Sequence, residues 1–344
     1  MRNLLVASFA FVTVVSASAD TIKFVDGRKP VDSVTVINET TEKVEYRRKG
    51  VPQPQSYAAE LIADVEYSEP PEEFLAAMDA FGVGDAKAAA GLFIVAAGEV
   101  ESKKGFAAKC KYMAAEAYRI GGMSGDAVAA YDDLIKNQPD SRYVPLARLN
   151  RGLTFARKGD EKNARDAFDT LLKDSAKFGE RFKHESELQL AILDEHKDPS
   201  GALAKYNAIA AATEKTYPSV ASQARLRIGR AMIATGDTAN ATQFFQNIVD
   251  ERAASSAEIV AGAYNGLGRA LYEQKKYKDA LFCFLRVYTV YNDQSAEQPE
   301  AMYFAAKCFQ QVEGPESKAR AQTLLQRVVR EYPDSSWALE AKKG

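Results

Sequence analysis

Residues 229–248 read GRAMIATGDTANATQFFQNI, and this stretch decides the fold. Met232 lies three residues after Gly229, Ala241 twelve after it, Phe245 four further on and Ile248 three beyond that. Steps of three and four place side chains on one face of a helix, here on either side of the turn Thr235-Gly236-Asp237. A small residue at 229 and Ala at 241 let two helix backbones approach, and the large side chains fill the space left over. The same spacing recurs as Ala115, Tyr118, Ala127, Tyr131, Leu134, as Gly152, Phe155, Ala164, Phe168, Leu171, and as Gly268, Leu271, Ala280, Phe284, Val287. Leu190, Leu193, Ala202, Tyr206 and Ile209 repeat it with Leu in place of the small residue. The second-helix alanines fall at 89, 127, 164, 202, 241, 280 and 321, a period of 37 to 41 residues.

One such hairpin cannot bury its apolar face alone, so the units are expected to stack. Residues 72–344 therefore read as a mainly α chain, an α-solenoid of about six to seven helical hairpins. The first unit, around Ala76 to Ala96, is degenerate. The last has an insertion near Gly314-Pro315 but closes on Leu325, Val328 and Pro333. Lys158-Gly159-Asp160, Thr235-Gly236-Asp237 and Gln274-Lys275-Lys276 form the polar turns, the first two with Gly where a helix ends.

These residues resemble the tetratricopeptide repeat family over most of the chain. The resemblance implies stacked hairpins and a non-enzymatic role in holding a protein or peptide. The long period and the connectors Asn137-Gln-Pro-Asp-Ser and Glu331-Tyr-Pro-Asp-Ser-Ser look like those of exported bacterial relatives, the Tol-Pal-associated division coordinator and the outer-membrane assembly lipoprotein. The former begins with a coiled coil and the latter carries a lipid-bearing Cys. This chain has neither, so the specific role of neither is carried over.

The N-terminal part differs from the rest. Met1 to Ala19, MRNLLVASFAFVTVVSASA, has a basic start at Arg2, an uncharged apolar run and the small-x-small end Ala17-Ser18-Ala19. This is the pattern of a secretory signal peptide cleaved before Asp20. The apolar run is shorter than the roughly 20 residues that span a bilayer. Residues 20–70 alternate in the manner of strands, with Ile22 and Phe24, Val34 and Val36, Val44 and Tyr46, and Val65 and Tyr67. Four or five short strands are expected, in a small module with a weak resemblance to SH3-like or Sm-like barrels. Pro70-Pro71 ends it as a stiff joint.

The chain has 344 residues, with 45 Lys and Arg against 47 Asp and Glu, a formal charge of −2. That balance excludes a polybasic nucleic-acid binder. Three Cys and two His cannot build a paired zinc module, and Cys110, Cys283 and Cys308 are too few and odd in number for a disulfide framework. They read as buried thiols, with a Cys283–Cys308 bridge as the alternative. No phosphate loop or serine elbow occurs. Asp194-Glu-His-Lys-Asp198 gathers metal-type ligands, but at a helix end before Pro199, where solvated charge is ordinary. No catalytic residue, metal ligand or cofactor is therefore assigned.

The candidate site is a surface strip on the first helices of the hairpins. The residue after each small marker, the one three before it and the one four after it share a face. The strip comprises Tyr112, Glu116 and Arg119; Leu149 and Leu153; Leu226 and Arg230; and Asn265, Arg269 and Tyr272. Arg and Tyr are common interface anchors. The expected function is an exported, non-enzymatic scaffold of the cell envelope that binds a partner protein or peptide along this strip. The alternative assigns cell-wall or peptide binding to the β module, with the helices as spacer.

Overall fold

In the computed structural model the described residues are 19–251, 256–294, 296–312, 314–333 and 335–343. The signal-peptide reading therefore falls, except for Ala19, outside the described residues. The chain divides into two compact units. One runs up to Leu193 and includes Ala211–Ala221; the other comprises Asp194–Ala210 and everything from Ser222 on.

The first unit opens with five strands: β1 (Asp20–Phe24), β2 (Val31–Glu39), β3 (Lys43–Arg48), β4 (Gln55–Ala58) and β5 (Ile62–Glu66). They form one antiparallel sheet in the order β4-β3-β2-β1-β5, with a single 3₁₀ turn, Ala59–Leu61, between β4 and β5. The alternating residues picked from the sequence point inward: Ile22, Phe24, Val34, Val44, Tyr46 and Val65 form its core. The turn at Asp26-Gly27 uses the left-handed backbone that Gly adopts without strain, φ 74°.

Helical hairpins follow among the described residues: α1 (Glu72–Gly82) with α2 (Ala86–Glu99), α3 (Lys104–Ile120) with α4 (Ser124–Asn137), and α5 (Tyr143–Arg157) with α6 (Glu161–Lys173). After the one-turn α7 (Ser175–Phe178) come α8 (Glu180–Asp194), which ends the main segment of the first unit, α9 (Pro199–Thr213), α10 (Pro218–Ala234) with α11 (Thr238–Asp250), and α12 (Ala257–Glu273) with α13 (Tyr277–Val290). The last pair is α14 (Gln298–Gln311) with α15 (Ser317–Glu331), and the short α16 (Ser336–Lys342) packs on both. From α1 to α6 in the first unit and from α11 to α16 in the second, consecutive helices pack side by side, and α3 also touches α5 as α12 touches α14. This is the stacked-hairpin arrangement of a solenoid.

The repeat phase is visible in burial. All seven second-helix alanines are 0–2% exposed. The glycine markers lie under the aromatic ring of their own hairpin: a Cβ on Gly152 would stand 2.5 Å from Phe168, and one on Gly268 would stand 2.7 Å from Phe284. The hairpin turns share a left-handed residue at Gly84, Gly122, Gly159, Gly236 and Lys275. Lys275, φ 61°, fills with a lysine the place that glycine takes elsewhere.

The β module is not held by Pro70-Pro71 alone. It docks along the N-terminal ends of four first helices. On α3, Lys109 Nζ donates to Asp64 Oδ1 and to the Val65 carbonyl, both at 2.7 Å. Tyr67 stacks on Phe106, ring centroids 4.3 Å apart. At α5, Arg142 Nε donates to Glu39 Oε2 at 2.5 Å, with both side chains 2% exposed. Tyr67 donates to the same carboxylate. At α8, the Arg181 backbone N–H donates to Glu60 Oε2 at 2.9 Å, as does the Tyr217 hydroxyl from just before α10. A carboxylate suits the positive end of a helix. Gly179, φ 105°, lies against Glu60, where a side chain would collide. Removing the module would thus leave Arg142 and Lys109 without their carboxylates, so a deletion of residues 20–70 tests folding before it tests binding.

Cys110, Cys283 and Cys308 are free and buried. Burial pushes each thiol up to about 12. Only the thiolate is nucleophilic, so three pH units above the ordinary value leave roughly a thousandth of the usual thiolate at neutral pH. Iodoacetamide should therefore label the folded chain at least about a hundredfold more slowly than the denatured one. Three thiols should titrate in denaturant without reductant. One thiol instead of three would restore the Cys283–Cys308 bridge.

Candidate functional site

The strip residues fall on the first helices as expected, but they do not form a bare surface. In the first unit, Glu116 is a hub. Arg119 Nη2 donates to its Oε2 at 2.6 Å, Asn150 Nδ2 to its Oε1 at 2.7 Å, and the Tyr131 hydroxyl to the same oxygen. Asn150 also donates to the Tyr112 hydroxyl at 2.7 Å, and Tyr112 packs on Tyr143 with centroids 5.3 Å apart. Burial, and then the Glu116 charge, push the Tyr112 and Tyr131 hydroxyls far above the usual phenol range, so both stay protonated, Tyr131 donating to Glu116 and Tyr112 accepting from Asn150. Leu149 is buried in the core with Phe168 and Phe182; Leu153 is half-buried against the same cluster. Leu149 is thus a packing residue, not a surface one.

In the second unit the strip becomes an arginine–carboxylate network. Arg230 of α10 lies 3.1 Å from Glu300 and 3.3 Å from Glu297. Arg269 of α12 lies 3.4 Å from Glu300, with its guanidinium 4.3 Å from the centre of the Phe304 ring and 5.7 Å from that of Trp337. Asn265, fully buried, donates to the Glu297 carbonyl at 2.9 Å and to its carboxylate at 2.8 Å. Arg227 approaches Glu195 at 3.7 Å. Glu300 outweighs burial and raises Arg230 above the usual guanidinium range. Burial and the like charge of Arg230 lower Arg227. Leu226 packs beside Gly262, and Tyr272 lies edge-on to Phe304.

Three buried atoms of this network lack a hydrogen-bond partner: Nε of Arg230, Nε of Arg269 and Oδ1 of Asn265. Two donors and one acceptor are thus left over on neighbouring first helices. Unpaired polar atoms in a buried setting are costly, about 1–3 kcal/mol each, and call for a partner.

Sequence reasoning placed Arg230, Asn265, Arg269 and Tyr272 together. It missed Glu297, Glu300, Phe304 and Trp337. A three-residue step from Glu297 to Glu300 at the head of α14 carried the signal, but Glu297 lies before the helix, where the repeat spacing does not apply. Asn150 and Tyr131 were missed in the same way, because they lie outside the three positions sampled per helix. The Asp194–Asp198 segment is used locally: Asp198 accepts from the Gly201 N–H at 2.9 Å, and Glu195 accepts from the Tyr206 hydroxyl at 3.0 Å. Among the described residues no group of His, Cys, Asp or Glu is placed to hold a metal ion. No helix among them is long and apolar enough to cross a membrane.

The comparisons agree with this geometry. Family profiles described as tetratricopeptide repeat match residues 112–178, and again 223–255 and 300–335. These segments carry tetratricopeptide repeats. The matched segments hold the hairpins α3–α6, α10–α11 and α14–α15 in the phase read above. A tetratricopeptide repeat protein from Parabacteroides merdae is similar in structure, with a TM-score of 0.50 and 15% identity over 75% of this chain and 91% of that one. The type IV pilus biogenesis factor PilW matches with a TM-score of 0.43 and 18% identity, over 67% and 96% of the two chains. PilF of Pseudomonas aeruginosa matches at 0.40 and 13%, over 69% and 96%. At 15% identity the likeness to the Parabacteroides merdae protein is one of fold alone. No curated protein matches the chain in sequence.

Proposed function

We propose that this protein is an exported, non-enzymatic scaffold of the cell envelope that holds an extended segment of a partner protein on the first helices of its tetratricopeptide repeats. Stacked repeats offer successive helices to one long ligand, which suits a chain segment better than a small molecule. One observation carries the reading. The first-helix strip of the second unit leaves the Nε donors of Arg230 and Arg269 and the Oδ1 acceptor of Asn265 unpaired. A peptide backbone, with a carbonyl and an N–H at each residue, carries both complements and would reach these buried atoms once the side chains covering them move aside. The strip's charges are already matched by Glu297 and Glu300, so recognition there rests on hydrogen bonds and on the half-buried Tyr272 more than on net attraction. The envelope assignment rests on the leader-like pattern of Met1 to Ala19.

The test keeps the charges and removes the donors. Arg230→Lys/Arg269→Lys retains partners for Glu297 and Glu300 but deletes both Nε–H groups. In pull-downs from envelope extract the double variant should retain its main partner at least about fivefold less well than wild type, an expected loss of roughly 1 kcal/mol or more. Its thermal midpoint should stay close to wild type. An unchanged partner set would remove the strip from the reading. Export has its own readout: the protein recovered from cells should begin at Asp20, and an intact Met1 terminus would defeat that half of the proposal.

A further inference from the structure

The outer face of α2 carries a pattern that its own hairpin does not use. Gly91 and Gly98 lie within the helix and are exposed, and a Cβ built on either would meet no heavy atom within 4 Å. Each glycine costs about 1 kcal/mol relative to alanine in a helix interior. Among the described residues nothing packed against them accounts for that cost. Between them, Ile94 and Val95 are each 53% exposed. Lys87, Gly91, Ile94 and Gly98 follow one another at steps of four, three and four, which makes them one ridge. Beside the ridge, a hollow of about 320 Å³ is lined by Ile94 and Ala97 of α2, Lys111 and Ala114 of α3, and Ala130 and Asp133 of α4, apolar toward α2 and edged by the Lys111–Asp133 ion pair.

The ridge is its own complement. About the midpoint between Ile94 and Val95, Gly91 mirrors Gly98 and Ile94 mirrors Val95. A second α2 laid antiparallel across that midpoint sets its two large side chains between the two glycine notches, and receives the same in return. The charges select this direction. Exposed Lys87 lies toward one end and exposed Glu101 just past the other. An antiparallel crossing brings Lys87 of each copy to Glu101 of the other, whereas a parallel one sets Lys87 against Lys87. We propose that the outer face of α2 is the centre of a two-fold interface between two copies of this chain, with Gly91 and Gly98 admitting the partner's Ile94 and Val95. Such an isologous contact closes on itself and gives a dimer. It involves none of the residues assigned to peptide binding above.

Analytical ultracentrifugation of the purified chain, from about 1 to about 100 µM protomer, is the test, because dimer population follows protomer concentration. Wild type should pass from monomer to dimer over this range. Gly91→Ala/Gly98→Ala adds two methyl groups that meet none of the described residues of the single chain and favour the helix, so it should melt no lower than wild type. The same methyls hold the two helices apart, and the dissociation constant should rise at least about tenfold. Ile94→Glu/Val95→Glu should be monomeric throughout. Lys87→Glu should weaken the dimer, and Lys87→Glu/Glu101→Lys should restore it. A wild type that stays monomeric at every concentration overturns the proposal and leaves the face to a different protein. A dimer indifferent to Gly91→Ala/Gly98→Ala, or one that the charge exchange fails to restore, overturns it equally.

Discussion

Arg142→Ala is expected to destabilise the N-terminal unit by about 3–5 kcal/mol, the usual result of stranding one partner of a buried ion pair. Arg142 and Glu39 are 2% exposed as side chains and 2.5 Å apart. The pair joins strand β2 to the head of α5, 103 residues away in sequence. Without the guanidinium, Glu39 keeps, among the described residues, the Tyr67 hydroxyl as its side-chain donor, in a site closed to water. The carboxylate must then take up a proton or draw water into the interface, and both routes loosen the sheet from the helices. For a unit of about 200 residues this should lower the melting midpoint by roughly 10 °C. Protease should also begin to cut near Pro70, where the docked module leads into α1. Glu39→Leu/Arg142→Met removes both charges and fills the space with apolar atoms, and it should recover most of the loss. A loss below about 1 kcal/mol for Arg142→Ala would show that the pair is hydrated and that the module is held elsewhere.

That interface marks the boundary of what could be read from the chain. Local periodicity was enough for the helices, because each hairpin repeats the same steps of three and four and packs on its neighbour in sequence. It was enough for the strands as well, since Ile22, Phe24, Val34, Val44, Tyr46 and Val65 alternate and all point inward. It carried no information on how the sheet meets the helices. Glu39, Glu60, Lys109 and Arg142 are charged residues of the kind that normally face water, and only the fold brings them together. The strip met the same limit. Arg230 and Arg269 were legible as a pair because the repeat spaces them 39 residues apart. Their carboxylates were not, because Glu297 lies outside the periodic part of its unit. Asn265 reads as a surface residue by type, yet its side chain is fully buried because Glu297 claims its amide.

The second large effect concerns Phe245, whose ring is fully buried and faces two glycines, Gly229 of its own hairpin and Gly266 of the next. Phe245→Ala should cost about 3–5 kcal/mol, as the loss of a buried aromatic usually does. Gly266→Ala is the more telling change. On propensity alone it should stabilise α12 by about 1 kcal/mol. Yet the added methyl would stand 2.2 Å from Cζ of the fully buried Phe245 ring, whose tip is also closely approached by Gly229, so the ring has little room to give. Overpacking of that kind costs about 1–3 kcal/mol, so a net loss is expected where a helix scale predicts a gain. Phe245→Leu makes room for the methyl. Gly266→Ala/Phe245→Leu should therefore lose less than the two single changes together, with a coupling of at least about 0.5 kcal/mol in urea unfolding. Strict additivity would mean that the methyl and the ring do not meet. The comparison within the chain sharpens the test. Gly152 under Phe168 and Gly268 under Phe284 should show the same sign of coupling, because each glycine admits a ring. In the second hairpin the marker is Ala115, already a methyl, and the aromatic is Tyr131, whose hydroxyl is tied to Glu116. There the ring is held by its hydrogen bond as well as by packing, and Ala115→Gly should gain nothing.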